Sequence, residues 1–338
     1  MAIGISGYGV YIPKLRIKKE DYAKAWGSFS AAGVSEKSVM GFDEDVLTAA
    51  AKVSMRALAS VPTSADKVTR FALASTTPPY VEKLLSGTVM VSVGMPNMTF
   101  SSDHTTSTRA GTEALLSGFE HVMANPKGVA LVAAADSPMA SMWDSVEHPL
   151  GAGAAAYVLS GENIIAELEG FASHANEHFG ERFKLRDDEM LHDLNVKKFS
   201  EASMITNTTK AATALLKKLS RKPDEYDHVV IQQPDARIPG LVGGKLQFAE
   251  PQLAAGLTAN VLGDLGAAST LVSLAAVLDN AKMGDKIMVI SYGSGAGSDA
   301  LSFKVVGDRR PANKFKQEVE KKEYIDYIKY LKLKGAIL

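Results

Sequence analysis

The sequence predicts an α/β fold made of two related halves, and three observations lead there. First, short apolar runs at Val129–Ala134, Ala155–Leu159, Val229–Gln232, Ile287–Ser291 and Leu301–Val306 alternate with helical patterns. Each run is bounded by glycine or polar residues, as the buried strands of a sheet are. Second, the segment Ala110–Val132, AGTEALLSGFEHVMANPKGVALV, resembles Gly266–Met288, GAASTLVSLAAVLDNAKMGDKIM, at an ungapped offset of 156 residues. Both copies read as an apolar helix opened by small residues, a Lys/Gly turn and a buried strand. Third, each copy is followed by a Gly-rich apolar segment, Gly151–Ser160 in one case and Gly293–Phe303 in the other.

In chain order, Ile3–Ile12 reads as an opening strand closed by Pro13. Lys14–Asp43 is polar and helix-like in its parts. Ser60–Lys67 is a turn cluster, and Arg70–Ser75 a buried strand. The run His104–Thr108 reads as a hydroxyl-rich loop ahead of the first repeated helix. From Arg309 the chain turns charged and helical, with Tyr324, Ile325, Tyr327, Ile328 and Leu331 toward one side. That tail either packs on its own body or docks another subunit. The divisions expected are residues 1–165 and 166–308 for the halves, and 309–338 for the tail.

Composition narrows the function. The chain has 338 residues, 46% apolar and 22% charged, with a formal net charge of −1. That balance gives no long-range field for nucleic acid or an anionic membrane. No apolar run approaches the ~18–20 residues of a bilayer span, and no signal-type segment opens the chain, so a cytoplasmic location is expected. Cysteine is absent. Disulfides, thiolate metal sites and a cysteine nucleophile are excluded together.

Several long motifs then carry a family resemblance. They are ISGYGVYIPKLRIK (Ile5–Lys18), FDEDVLTAAAKVSMRAL (Phe42–Leu58), TRAGTEAL (Thr108–Leu115), GAGAAAYVLS (Gly151–Ser160), QQPDARIP (Gln232–Pro239), the Ala275–Phe303 stretch and YIDYIKYLKLKG (Tyr324–Gly335). In this order the chain resembles the hydroxymethylglutaryl-CoA synthases of archaeal and bacterial type, within the thiolase superfamily. The resemblance implies a thiolase fold: two duplicated βαβαβ-type halves forming a five-layered αβαβα sandwich. It also implies a homodimer, paired near the Thr99–Ser107 loop.

The same resemblance shows what has been replaced. The family presents a cysteine at a helix N-terminus, which lowers a thiol pKa and supplies backbone N–H groups; here Thr108 stands there. A threonine hydroxyl is a poor nucleophile without an adjacent base. Thr76 replaces the family's acidic residue. Gln232 replaces its histidine, and glutamine does not exchange protons near pH 7. Where the family has an asparagine, this chain has Gly263-Asp264, and the repeat sets Asp264 opposite Thr108. No catalytic residue is therefore expected at these four degenerate positions. Arg237 falls at a basic position facing coenzyme A, whereas Leu241 falls where a second base is expected. Ser294 lies in Gly293–Gly295, the backbone-donor segment near the acyl oxygen. The ligand implied is a coenzyme A thioester, with no covalently bound cofactor.

The closest pattern is the synthase-like subunit of diacetylphloroglucinol-type acyltransferase complexes. That resemblance implies two partners, a cysteine-bearing thiolase and a small zinc-ribbon/OB-fold protein, and a non-catalytic role beside them. The alternative is altered chemistry on an acyl-CoA or ketone substrate, using Asp264, His104 or a hydroxyl. Other chemistry has little support. The His104–Thr108 run suits helix capping as well as catalysis. His174 and His178 stand four apart without a third ligand. The GSGAGS run precedes a strand, unlike a dinucleotide loop.

Overall fold

The computed structural model describes residues 2–142, 144–176, 182–194, 197–295 and 297–337. The first half contains β1 (Gly4–Tyr11), β2 (Leu15–Lys18), α1 (Lys19–Trp26), β3 (Glu36–Val39), α2 (Val46–Ala59), β4 (Val68–Ala74), α3 (Leu85–Val93), β5 (Phe100–His104), α4 (Ala110–Ala124), β6 (Val129–Asp136) and β7 (Gly153–Ser160). The second contains β8 (Ala166–Ala175), β9 (Arg182–Phe183), β10 (His192–Asp193), α5 (Lys197–Lys218), β11 (His228–Ile231), α6 (Ile238–Lys245), α7 (Glu250–Ala254), α8 (Ala259–Leu262), α9 (Ser269–Leu278), β12 (Lys286–Ile290) and β13 (Gly297–Val305). The tail adds α10 (Phe315–Glu320), β14 (Glu323–Tyr324) and α11 (Tyr327–Leu333).

Nine strands hydrogen-bond in the order β11-β12-β13-β8-β1-β7-β6-β4-β5. Read outward from the β1–β8 junction, the two halves follow one plan. β4 and β6 are parallel, as are β11 and β12, while β7 and β13 run antiparallel to their neighbours. Among the described residues the second half has no counterpart of β5. The junction itself is short, pairing Gly4 with Glu167 and Ile5 with Ala166.

The strand sequences explain the layering. In β6, Ala130, Val132 and Ala134 enter the core between the two half-sheets, and Leu131, Ala133 and Ala135 enter the core beneath α2 and α3. A strand buried on both faces reads as a continuous apolar run, which is what VALVAAA is. α4 and α9 fill the middle layer, and every residue of α9 is buried. α5 and α6 cover the outer face of β11 and β12. The result is the five-layered αβαβα thiolase fold.

Two sequence expectations need correction. Lys14–Asp43 contains one helix only; β2 and β3 pair antiparallel on either side of it and form a side sheet with β14. Thr99–Ser107 is not wholly a loop, because Phe100–His104 pairs in parallel with β4 as the edge strand β5. Its residues are half-buried or exposed, so no apolar alternation announced it. The tail lies on its own body. Tyr330 is buried against Tyr22 and the Lys37–Glu147 ion pair (2.8 Å), and both tyrosine hydroxyls donate to Glu147. Burial lowers the Lys37 pKa, and the Glu147 carboxylate opposes that shift.

Helices α4 and α9 approach where the repeat aligns them. A Cβ on Gly111 would lie 2.2 Å from the carbonyl oxygen of Ala267, the residue 156 positions later. The contact is with backbone, which cannot swing aside. Gly111→Ala should therefore lower stability by about 1–3 kcal/mol, the usual cost of overpacking a core. Denaturant melts of the two proteins check this, and an unchanged midpoint would mean the helices have room to part.

Candidate functional site

β5 leads into α4 through Thr105–Arg109, and the turn is sharp. Thr106 has φ of 74°, a left-handed conformation that β-branched residues rarely adopt. Thr108 follows at the helix start. Its hydroxyl donates to the Tyr292 carbonyl at 2.7 Å, just past the end of β12. The next residue must lack a side chain: a Cβ on Gly293 would sit 1.8 Å from Ser107 Oγ. Arg109 then reaches into the second half, where its Nε donates to Asp299 at 2.9 Å. Thr112 and Ser173 hydroxyls also donate to this fully buried carboxylate, at 2.7 and 2.6 Å. A Cβ on Gly297 would collide with the Arg109 guanidinium.

The second elbow is finished in the same way by the first half. Asp136, fully buried at the end of β6, accepts the Ala267 N–H at 2.8 Å, just ahead of α9. It also accepts the Thr76 N–H at 3.1 Å and the Thr76 hydroxyl at 2.7 Å. Gly266 has φ of 55°, and a Cβ there would overlap the Asp136 carboxylate. Gln232 Nε2 donates to the Gly266 carbonyl at 3.0 Å, and Asp264 Oδ1 accepts the Gly266 N–H at 2.9 Å. Thr76, Gln232 and Asp264 thus converge on Gly266 and Ala267. Thr108 is engaged at the other elbow.

The β9–β10 hairpin is bonded to both elbows. The Arg182 guanidinium pairs with Asp264, its backbone N–H donates to Ser294 Oγ at 3.0 Å, and Lys184 Nζ donates to the Thr76 carbonyl at 3.3 Å. Sequence reasoning missed Arg182, Asp136 and Asp299. Only Asp136 left a trace: it stands 156 residues before Tyr292, so each repeat ends its strand with a residue that completes the other half's elbow.

The remaining candidates lie elsewhere or do other work. Arg237 is exposed at the start of α6, where its N–H donates to Asp235 at 2.9 Å. Asp103 caps α3 by accepting the N–H groups of Leu85 and Ser86 at 2.7 and 2.8 Å. His104 lies 3.2 Å from Ser102 Oγ, and no hydrogen bond among the described residues joins it to Ser107 or Thr108. Burial, then Arg70, lowers its pKa. His174 Nδ1 lies 3.0 Å from Asn207, and His178 falls outside the described residues. Among the described residues no three His, Asp or Glu side chains group as metal ligands. An open cleft of about 540 Å³, lined in part by Tyr11, Lys52, Arg56 and Glu318, includes none of the elbow residues.

Among the described residues no hydrogen bond joins the Thr108 hydroxyl to a basic side chain. Activation needs a base within hydrogen-bond reach of the hydroxyl, and the Thr108 hydroxyl is spent on a backbone carbonyl. Thr76 and Gln232 are likewise engaged in hydrogen bonds, to Asp136 and to the Gly266 carbonyl.

No family model matches the chain. It is 32% identical over 350 residues to the hydroxymethylglutaryl-CoA synthase of Caldivirga maquilingensis, covering 100% of this chain and 99% of that protein. It is 31% identical over 345 residues to that of Picrophilus torridus, covering 99% and 98%. Among solved structures, a hydroxymethylglutaryl-CoA synthase complexed with CoA superposes with a TM-score of 0.85 at 19% identity, over 98% of this chain and 90% of that one. The 3-oxoacyl-[acyl-carrier-protein] synthase III of Aquifex aeolicus superposes at 0.81 and 19% identity, over 89% and 99%. At those identities the structures speak for the thiolase fold.

Removing the Asp136 hub should cost more than removing the Thr108 bond. Asp136→Asn turns an amide N–H₂ toward donors now paired with a carboxylate, for a loss of about 3 kcal/mol; Thr108→Val gives up one hydrogen bond, about 1 kcal/mol. Urea titrations of both variants measure this, and equal losses would contradict the hub.

Proposed function

The chain belongs to the hydroxymethylglutaryl-CoA synthase family, and from that premise we propose that it is a non-catalytic subunit of an acyl-CoA carbon–carbon bond-forming complex. The observation that carries this reading is the Thr108 hydroxyl, held 2.7 Å from the Tyr292 carbonyl at the elbow where a cysteine would act. The chain contains no cysteine that could substitute from elsewhere. A partner must then supply the nucleophile. The partners proposed are a cysteine-bearing thiolase and a small zinc-ribbon/OB-fold protein that joins the two. One relative in the fold is described as complexed with CoA, and we extend CoA thioester binding, with Arg237 and Ser294 as contacts, to this chain.

We also propose a homodimer through β5. Among the described residues this strand pairs on one side only, so its other edge offers unpaired backbone groups. Phe100, 67% exposed, stands on that strand, and the exposed Met98 and Val91 lie just before it and on α3. An apolar open edge of this kind suits pairing with a second copy.

The first test uses the purified chain with acetyl-CoA and acetoacetyl-CoA. No acyl adduct on Thr108 or Ser107 and no hydroxymethylglutaryl-CoA should form, while co-expression with the two partners should yield a complex that transfers acyl groups. Turnover by the chain alone would sink the proposal. The variant Thr108→Cys should also fail to condense, because each missing acid–base group is typically worth ~10²–10⁴-fold. In light scattering the wild type should run as a dimer and Phe100→Glu as a monomer; a wild-type monomer at micromolar concentration argues against β5 pairing.

A further inference from the structure

Helix α11 is followed at once by Lys334, and among the described residues this lysine forms no ion pair. Its Nζ donates only to Ser137 Oγ and the Pro138 carbonyl, each at a long 3.5 Å. The carboxylate nearby, Glu147, is already engaged. It accepts Lys37 Nζ at 2.8 Å and the Tyr22 hydroxyl at 2.8 Å, and the Tyr330 hydroxyl as well. Lys37 is complete too, since its remaining N–H groups go to the Glu147 carbonyl at 2.8 Å and the Tyr330 hydroxyl at 3.1 Å. Two amines thus share one carboxylate.

Geometry decides which amine keeps its proton. Lys37 has short bonds and an anion; Lys334 has two long contacts to neutral oxygens and a cation beside it. Burial first, then the Lys37 charge, lower the Lys334 pKa to about 8 against the pull of Glu147. The other titratable groups of the cluster do not compete. Burial raises the pKa of Tyr22 and Tyr330, keeping both protonated, and lowers that of His148, which sits against Tyr22. Lys334 is partly exposed and Gly335 to Ile337 are exposed, so a small solute reaches this end of the chain. Ser137 directly follows Asp136, and its N–H donates to the Thr77 hydroxyl at 3.1 Å, which places the amine beside the Asp136 hub.

A desolvated amine next to a second cation is nucleophilic toward carbonyl carbon. We propose that Lys334 is an imine-forming site for small aldehydes and ketones. The Nζ lone pair forms the C–N bond while the carbonyl π electrons pass to oxygen. Both N–H protons then leave with that oxygen as water, and a C=N bond remains. The step needs no oxidant, reductant, coenzyme A or partner, so it stands apart from the acyl-CoA reading.

The full chain is incubated near pH 7 with propanal and sodium cyanoborohydride, which reduces the imine to a stable secondary amine, and the adducts are mapped by peptide mass spectrometry. Lys334 should label about tenfold faster than the exposed Lys316, because an ordinary lysine leaves far less free amine at that pH. Its labelling rate should rise with pH to a midpoint near 8. Lys37→Met frees Glu147 to pair with Lys334 and should bring its labelling down to that of Lys316. Lys37→Arg keeps the cation and should leave Lys334 reactive. Wild-type Lys334 labelled no faster than Lys316 overturns the site, whether or not Lys37→Met folds. Equal labelling in the two Lys37 variants shows that the shared carboxylate does not set the reactivity, and this also overturns it.

Discussion

The close crossing of α4 and α9 is the constraint on which the rest of this molecule depends. Gly111 lets the Ala267 carbonyl approach to a distance that no side chain permits. Because the helix starts are pressed together, the residues that end β6 and β12 reach across the middle layer. Asp136 caps the start of the second helix, and the Tyr292 carbonyl takes the Thr108 hydroxyl. Each half thereby closes the other's elbow. Neither half could satisfy its own orphan helix N–H groups in this way alone.

That exchange also sets what the polar side chains at the elbows do. A catalytic cysteine, acid and imidazole need free lone pairs and exchangeable protons facing one space. Thr108, Thr76 and Gln232 are each hydrogen-bonded to a protein group: the Tyr292 carbonyl for Thr108, Asp136 for Thr76 and the Gly266 carbonyl for Gln232. Buried carboxylates are costly unless every oxygen is paired. Asp136 and Asp299 meet that demand with donors from both halves, so the polar core fixes the relation of the halves.

The side sheet and tail solve a separate problem. Lys37 and Glu147 lie deep in the protein, where removing either partner would strand a charge. Tyr22 and Tyr330 complete the Glu147 carboxylate with their hydroxyls and place their rings around the Lys37 ammonium. Tyr330 of the tail is thereby explained as internal packing. Its β14 strand extends the β2–β3 sheet and holds the last helix in place.

Composition and local pattern carry the fold class, the repeat and the absence of cysteine. Buried strands such as Val129–Ala134 carry their signature in composition, a 156-residue offset is visible without coordinates, and the absence of cysteine needs no structure. The positions Thr108, Thr76, Gln232 and Asp264 were legible for the same reason, since they sit in motifs local to the chain. What those side chains touch was decided only by the tertiary structure. β5 escaped notice because an edge strand obeys no apolar alternation. Asp136, Asp299 and Arg182 escaped because their partners lie 131, 190 and 82 residues away. A buried hydrogen bond across such distances depends on how the layers stack. No local pattern encodes that stacking.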